Sequence, residues 1–289
     1  MGKIWVTGAY GLMGSEFRHC LSVQDAYFTD KEDCDITNLE NVLAYSDNKD
    51  ISVIINCAAS RDAEYLENNP ENGLLINVRT PQNLAIAANK LGAKLIHVSS
   101  DYVFDGTKNT PYYETDTVSP LSVYGRQKVD GEKIVLDTAN TAVILRTAWL
   151  YSSYGKDFVK TIDKLAQERN EINVIYDQVG SPTYAADFVD AVLKILPKIK
   201  AGSCEIYNLT NEGVCSWYDL AVQIVNLFAH KCRVNPIETK DFSQKAIRPK
   251  YSVLSKDKIK KDFGLQLRHY SAGLYDCVNL VKRKHAYKD

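Results

Sequence analysis

The fold is decided by residues 3–14, which read Lys3-Ile4-Trp5-Val6-Thr7-Gly8-Ala9-Tyr10-Gly11-Leu12-Met13-Gly14. The first five residues are typical of a buried strand, and an amphipathic stretch at 12–21 is typical of a helix. Because glycine lacks a β-carbon, the backbone amides of such a turn can approach a pyrophosphate at the helix N-terminus. Its place between a first strand and a first helix predicts dinucleotide binding. The predicted cofactor contacts in the turn are Gly8, Gly11, Leu12, Met13 and Gly14.

Short apolar runs alternate with longer amphipathic stretches through the first half of the chain. Further strands are predicted at 26–29, 51–58, 94–99 and 142–146. Residues 53–55 are apolar in succession, which indicates a parallel sheet covered on both faces. The pattern predicts an α/β fold with a Rossmann-like, doubly wound parallel sheet.

The alternation of short apolar runs with longer amphipathic stretches changes after Trp149. Residues 1–150 are predicted to form the NAD(P)-binding Rossmann domain, with the helix near 184–197 added to it. Residues 151–289 are predicted to form a smaller α/β substrate-binding lobe, interleaved with the first domain. Further helices are predicted at 158–167, 217–229, 256–263 and 271–282, and short strands at 172–176 and 206–208.

The composition is that of an ordinary globular protein, with 289 residues, 45% hydrophobic, 25% charged and a net charge of −1. No basic excess favours a nucleic-acid partner. No apolar run approaches the roughly 18 residues of a membrane span, so no membrane association is expected. Seven widely spaced cysteines without a Cys-x-x-Cys motif predict free thiols in a cytoplasmic protein and no structural metal.

Tyr124 and Lys128 are four residues apart on a predicted helix, so they share one face. Ser100 follows the fourth strand, and ligands bind at the carboxyl ends of strands in open α/β sheets. We predict that the three side chains converge beside a nicotinamide. The Lys128 ammonium would stabilise the tyrosine phenolate and lower its pKa from the usual value of about 10. Tyr124 would donate a proton to a carbonyl oxygen held by Ser100, and Lys128 would also bind the cofactor ribose.

Two polar residues are further candidate cofactor contacts. Asp30 ends the second strand, where a carboxylate can bind an adenosine ribose and would repel a 2′-phosphate. Asp30 therefore favours NADH over NADPH. Because the adjacent Lys31 could accommodate the 2′-phosphate of NADPH, use of both cofactors is also compatible with the sequence. The alternative is that Asp30 only forms a turn or caps a helix. Asn77 lies four residues before Pro81. On one helix, Pro81 would leave the Asn77 carbonyl free for water or Lys128; otherwise Pro81 simply begins a new helix.

Longer motifs resemble the extended short-chain dehydrogenase/reductases, and within them the dTDP-4-dehydrorhamnose reductase family. They include NCAA at 56–59, SSDYVFDG at 99–106, RTAWLY at 146–151, DQVGSPT at 177–183, WYD at 217–219 and RP at 248–249. The resemblance implies NAD(P)H-dependent reduction of the 4-keto group of a nucleotide-activated deoxysugar. The implied reaction converts dTDP-4-dehydro-L-rhamnose into dTDP-L-rhamnose.

The resemblance also implies a role for individual residues. Ser100, Tyr124 and Lys128 would be the catalytic trio. Further cofactor contacts would be Asp35 and Ile36 beside the adenine, then Ala58, Ala59 and Ser60. Substrate contacts would be Ser100, Asp101, Tyr102, Trp149 and Arg248, with Arg248 on the diphosphate. The alternatives are a core aromatic for Trp149 and a surface charge for Arg248.

A magnesium ion and a homodimer are implied by one further match. Glu16 corresponds to a glutamate that binds Mg²⁺ at the dimer interface in some members of the family. The alternative is that Glu16 is simply an exposed helix residue.

Two other functions share much of this pattern. Another nucleotide-sugar reductase or epimerase would need the same trio. The chain also resembles the regulatory subunit of methionine adenosyltransferase, which implies a non-catalytic NADP-binding subunit as the alternative from a different class. The intact trio favours an enzyme, because a pure binding protein needs no proton donor.

Overall fold

A computed structural model describes residues 2–286. The strands are β1 (Lys3–Thr7), β2 (Ala26–Thr29), β3 (Ile51–Asn56), β4 (Lys94–Ser100), β5 (Ala142–Thr147), β6 (Leu150–Tyr151), β7 (Glu171–Ile175), β8 (Val179–Gly180), β9 (Thr183–Tyr184), β10 (Cys204–Asn208), β11 (Cys215–Ser216) and β12 (Arg233–Ile237). The helices are α1 (Leu12–Cys20), α2 (Leu39–Ser46), α3 (Ala63–Asn68), α4 (Pro70–Leu74), α5 (Thr80–Leu91), α6 (Val123–Thr138), α7 (Phe158–Glu168), α8 (Ala185–Ile195), α9 (Trp217–Phe228), α10 (Asp257–Phe263) and α11 (Tyr270–Ala286).

Six parallel strands form the central sheet, in the order β10-β5-β4-β3-β1-β2. The chain runs outward from β1 to β2 and then crosses back to β3, β4 and β5. This is the doubly wound topology that the sequence predicts. The strand order reverses between β1 and β3, and a crevice forms there beyond the carboxyl ends of the strands.

Both faces of the sheet are buried. Val53 and Ile55 of β3 pack into a cluster with α1 and α8, whereas Ile54 packs into a cluster with α5 and α6. Successive residues of one strand therefore need apolar side chains, which explains the uninterrupted apolar run in the sequence.

Residues beyond position 150 contribute to both lobes. Ile259 and Phe263 of α10 join the same cluster as α8, on one face of the central sheet. Helices α7, α9 and α11 share a separate cluster with β7, which forms the second lobe. Residues 206–208 fall within the range 151–289 that is predicted from the sequence to form the interleaved second lobe. Parallel pairing of β10 with β5 makes these residues the edge of the central sheet.

Most predicted elements are present with ends shifted by a few residues. The third strand ends at Asn56, because the Asn56 side chain accepts hydrogen bonds from Thr7 Oγ1 and from the Ala58 amide. Strand β12, which pairs with β7, has no counterpart in the prediction. All seven cysteines are free thiols. None of the helices within residues 2–286 combines the length and the apolar character that a membrane span requires.

Candidate active site

The glycine turn between β1 and α1 is too tight for larger residues at two positions. Gly8 has a φ of 65°, and a β-carbon on it would lie 2.7 Å from the Ala58 nitrogen. A β-carbon on Gly14 would collide with the Gly8 carbonyl oxygen. These contacts bring the start of α1 against the end of β3, at the crevice where a dinucleotide is expected.

A cleft of about 500 Å³ opens on the β2 side of this turn. The predicted cofactor residues that line it are Gly8, Asp30, Asp35, Ile36 and Ala58, and Lys31 lies among them. The Asp30 carboxylate accepts hydrogen bonds from the backbone amides of Tyr10 at 3.2 Å and Lys31 at 2.9 Å. Asp35 accepts from the Thr37 hydroxyl at 2.6 Å, and this bond holds the pKa of Asp35 below its ordinary value.

A second cavity, of about 390 Å³, lies beyond the carboxyl ends of β4 and β5. The predicted residues that line it are Gly11, Leu12, Met13, Ala59, Ser100, Asp101, Tyr102, Tyr124, Lys128 and Trp149. The structure therefore brings the three predicted catalytic residues together with most of the predicted substrate contacts. A ligand lying across the glycine turn would reach both the cleft and the cavity.

Lys128 is fully buried, and its Nζ donates to the Val98 carbonyl at 2.7 Å. Burial lowers the pKa of Lys128 to about 8, against the opposing effect of Glu132 one turn along the helix. Burial also raises the pKa of Tyr124, and a hydrogen bond with Ser100 only partly opposes this. The net shift of the Tyr124 pKa is therefore upward, whereas the sequence predicts a lowered pKa. Tyr124 is a neutral phenol at neutral pH.

Ser100 and Asp101 form a hydrogen-bonded pair at the end of β4. Ser100 Oγ donates to Asp101 Oδ1 at 3.0 Å and accepts from the Tyr102 amide at 3.2 Å. Asp101 is 2% exposed, and its Oδ2 has no hydrogen-bond partner among the described residues. Burial raises the pKa of Asp101 to about 6, although the hydroxyls of Ser252 and Ser100 lower it.

An aromatic stack forms one wall of the cavity. Trp149 lies face to face on Trp217 with ring centroids 3.5 Å apart, and the Phe158 ring lies tilted against Trp217 with centroids 4.5 Å apart. Trp149 has a φ of 49°, which a bulky side chain rarely adopts. Close packing against Gly180 holds it, since a β-carbon there would lie 2.6 Å from the Trp149 ring. Trp149 is therefore both a packed aromatic and a cavity residue.

Four predicted site residues line neither the cleft nor the cavity: Ser60, Asn77, Gly14 and Arg248. The Asn77 side chain donates to the Ser60 carbonyl at 2.9 Å and accepts from the Ser60 amide at 3.1 Å, so it fixes the segment after β3. Pro81 lies in the first turn of α5, directly after a π-helical turn at Leu75–Arg79. Lys128 binds Val98 rather than the Asn77 carbonyl.

Arg248 pairs with residues of the protein instead of facing the cavity. Its guanidinium lies 3.1 Å from Glu64 Oε1, and it donates to Gln244. Its positive charge and a hydrogen bond to Tyr102 oppose the effect of burial, which raises the Tyr102 pKa to about 12. Arg248 therefore reaches the cavity only through Tyr102.

Glu16 is 3% exposed and accepts a hydrogen bond from Ser152 Oγ at 2.5 Å. The expectation of an exposed helix residue is wrong, because α1 packs this face of Glu16 against the segment after β6. Burial raises the pKa of its carboxyl. Residues 2–286 contain no cluster of three or more His, Cys, Asp or Glu side chains arranged to hold a metal ion.

Several cavity residues lie outside the sequence predictions. They are Cys57, Arg61, Val98, Ser99, Thr147, Ala148, Leu150, Asp157, Phe158 and Trp217. Trp217 belongs to a family motif that carried no assigned role, and Arg61 directly follows the predicted contact Ser60. Phe158 has no local signal, because its helix reaches the cavity only through the packing of the second lobe.

Comparisons with known proteins agree over most of the chain. The family model described as RmlD substrate binding domain matches residues 2–283. The dTDP-4-dehydrorhamnose reductase of Aggregatibacter actinomycetemcomitans is 37% identical over 278 residues, covering 92% of this chain and 95% of that protein.

Two solved structures have closely similar folds. The dTDP-4-dehydrorhamnose reductase of Clostridium acetobutylicum ATCC 824 has a TM-score of 0.92 at 37% identity, covering 97% of this chain and 99% of that one. The dTDP-4-dehydrorhamnose reductase of Bacillus anthracis str. Ames, in complex with NADP, has a TM-score of 0.91 at 34% identity, covering 96% and 98%. The similarity therefore includes both lobes.

Proposed function

Because the chain belongs to the dTDP-4-dehydrorhamnose reductase family, we propose that it reduces the 4-keto group of a nucleotide-activated deoxysugar with a reduced nicotinamide dinucleotide. The proposed substrate is dTDP-4-dehydro-L-rhamnose, and the product is dTDP-L-rhamnose. One observation carries the proposal: Ser100, Tyr124 and Lys128 line a single cavity next to the glycine turn.

The glycine turn fits the pyrophosphate of a dinucleotide. Gly8 and Gly14 leave no room for β-carbons, and the N-terminus of α1 favours a negative charge. The adenosine would occupy the cleft lined by Asp30, Asp35 and Ile36, and the nicotinamide would occupy the cavity. When bound, the cofactor supplies the hydride that the carbonyl carbon receives.

The protein supplies the proton. The carbonyl oxygen becomes a hydroxyl group, and Tyr124 can donate the required proton because burial keeps its phenol neutral. Lys128 lines the same cavity, and its positive charge favours the phenolate that remains after the transfer. Ser100 orients the carbonyl oxygen. Solvent then returns a proton to Tyr124, so each cycle consumes one hydride and one proton.

The sugar nucleotide would lie between the trio and the aromatic stack. Trp149 presents its ring to the cavity, and Asp101 and Tyr102 line the adjoining wall. Arg248 remains our candidate for the substrate diphosphate. It would have to exchange the Glu64 carboxylate, now 3.1 Å away, for phosphate oxygens.

We propose that both NADH and NADPH serve as cofactor. Asp30 in the adenosine cleft disfavours a 2′-phosphate, whereas Lys31 in the same cleft favours it. The relative from Bacillus anthracis was solved with NADP. A small difference between the two cofactors in kcat/KM is therefore expected.

The test mixes the purified chain with dTDP-4-dehydro-L-rhamnose and follows the absorbance of NADH or NADPH in separate reactions. Cofactor oxidation that requires the sugar nucleotide supports the proposal, and the Tyr124→Phe variant is the matched control. A folded chain that binds either cofactor but does not oxidise it with this sugar would contradict the proposed substrate. Tightly bound NAD that is not exchanged during turnover would indicate an epimerase instead.

A further inference from the structure

The Ser100 hydroxyl has a single hydrogen, and Asp101 Oδ1 competes with the Tyr124 oxygen for it. Ser100 Oγ donates to Asp101 Oδ1 at 3.0 Å, while the Tyr102 amide donates to Ser100 Oγ at 3.2 Å. A serine hydroxyl provides one donor and two acceptor positions. In this arrangement Ser100 can accept another hydrogen bond, but it cannot donate one to a substrate carbonyl oxygen.

The surroundings of Asp101 disfavour the ionised form of its carboxyl group. Asp101 is 2% exposed and lines the same cavity as Ser100 and Tyr124. The hydroxyls of Ser252 and Ser100 oppose only part of the effect of burial, and Oδ2 has no partner within hydrogen-bond distance among the described residues. A buried carboxylate oxygen without a donor disfavours the ionised form. A neutral carboxyl carries its own O–H group, which can turn toward Ser100 Oγ. That turn reverses the hydrogen bond and frees the Ser100 hydrogen.

We propose that Asp101 is a positioning residue that controls the hydroxyl hydrogen of Ser100; this rests on the proposed reductase function. Ionised Asp101 holds the hydrogen. Neutral Asp101 donates to Ser100 Oγ, and Ser100 then donates to the carbonyl oxygen, where negative charge develops as the carbon receives hydride. No proton leaves Asp101 in this exchange, so Tyr124 still supplies the proton of the product hydroxyl.

Other charged or titratable groups surround Asp101 from each neighbouring element. They are Tyr102 on the same turn, Tyr124 and Lys128 on α6, Arg61 after β3, and the ion pair of Arg248 with Glu64 beyond Tyr102. Burial raises the pKa of both tyrosines and lowers that of Lys128 to about 8, so these three groups titrate above neutral pH. The pKa of Asp101, about 6, lies below this range.

The test is the single-turnover rate of cofactor oxidation, measured from about pH 5 to about pH 8 with ordinary and with deuterated NADPH to identify the hydride step. In the wild type we expect this rate to fall as pH rises through about 6, approaching a 100-fold loss, because one oxyanion donor is worth roughly 10²–10³ in rate. In Asp101→Asn the amide can donate to Ser100 at every pH, so the fall should disappear. Asp105→Asn is the matched control, since Asp105 binds Thr107 and Tyr112 outside the cavity; it should keep the fall.

Ser100→Ala provides a second route to the same conclusion. If Asp101 acts through Ser100, the Ser100→Ala variant loses the pH-dependent fall, and adding Asp101→Asn changes its profile no further. A merely structural Asp101 would change the melting temperature without changing the pH profile.

Three outcomes would overturn the inference. The first is a wild-type rate that does not fall across this pH range. The second is a folded Asp101→Asn variant that keeps the fall. The third is loss of hydride transfer in that variant at every pH, which would place Asp101 in direct contact with the substrate. If the wild type itself reduces no nucleotide sugar, the proposed function fails and the inference fails with it. If the wild type is active, only the inference is at stake.

Discussion

A buried ion pair lies next to the cavity that Ser100, Tyr124 and Lys128 line. Arg146 on β5 donates to Glu132 on α6 through Nε at 2.9 Å and through its NH2 group at 2.7 Å. Ser99 Oγ donates to the same carboxylate at 2.6 Å. The Arg146 and Glu132 side chains are 3% and 5% exposed. Since Ser99 precedes Ser100 and Glu132 follows Lys128 by one turn, this pair connects the elements that carry the trio.

Glu132→Gln removes the negative charge at nearly constant volume, and Arg146 is left buried without its counter-ion. Breaking a buried pair in this way costs about 3–5 kcal/mol. The total free energy of unfolding of a native protein is roughly 5–15 kcal/mol. At about 2–4 °C per kcal/mol for domains of 150–250 residues, the melting temperature should fall by roughly 6–20 °C.

The assay is the free energy of unfolding from urea titration, with Glu205→Gln as the matched control. Glu205 pairs with Lys258 at 2.7 Å, but its side chain is 47% exposed. Exposed pairs contribute about 0–1 kcal/mol, so the control should lose no more than that. Equal losses in the two variants would refute the argument from burial.

Three further outcomes follow from the same structure. Tyr124→Phe keeps the ring and loses the proton donor, so kcat should fall by roughly 10²–10⁴ while the cofactor Kd from fluorescence titration stays unchanged; a kcat near that of the wild type would exclude Tyr124 as the acid. Gly8→Ala places a β-carbon 2.7 Å from the Ala58 nitrogen and should abolish cofactor binding, whereas Gly92→Ala, at a similar φ with nothing within 4 Å, should show only the backbone strain of about 1–2 kcal/mol; equal cofactor affinities would contradict this. Burial raises the folded-state pKa of Asp101 from 3.8 to about 6, so its contribution to stability is complete at low pH and is lost as pH rises through about 6. Asp101→Asn should therefore gain up to about 3 kcal/mol relative to wild type between about pH 4 and neutral pH, and a pH-independent difference in urea titrations would count against the burial of this charge.

The central sheet could be predicted because its strands are buried on both faces and leave continuous apolar runs, as in β3 and β5. The partner of β10 could not be predicted. Glu205 interrupts its apolar pattern, and its pairing with β5 joins segments far apart in the chain. Local periodicity indicates that a strand exists, but long-range packing decides which sheet it joins.

The convergence of Ser100, Tyr124 and Lys128 on one cavity could be predicted because each residue lies either at the end of a strand or on one face of a helix. The pKa values of Tyr124 and of the neighbouring Asp101 could not be predicted. The pKa of Tyr124 depends on burial by the completed fold. The pKa of Asp101 depends on the same burial and on an opposing hydrogen bond with Ser252 from a distant segment. The ion pair between Arg248 and Glu64 likewise joins two parts of the chain that no spacing rule relates.

The proposed reduction is tested most directly by finding which carbon of the sugar receives the hydride. The chain would be incubated with dTDP-4-dehydro-L-rhamnose and NADPH that carries deuterium at the transferring position, and the product sugar would be examined by NMR. We expect deuterium on C4 of the sugar with the wild type and almost none with Tyr124→Phe over the same time. Deuterium on another carbon, or cofactor oxidation without a new carbon–deuterium bond, would contradict the proposed reduction.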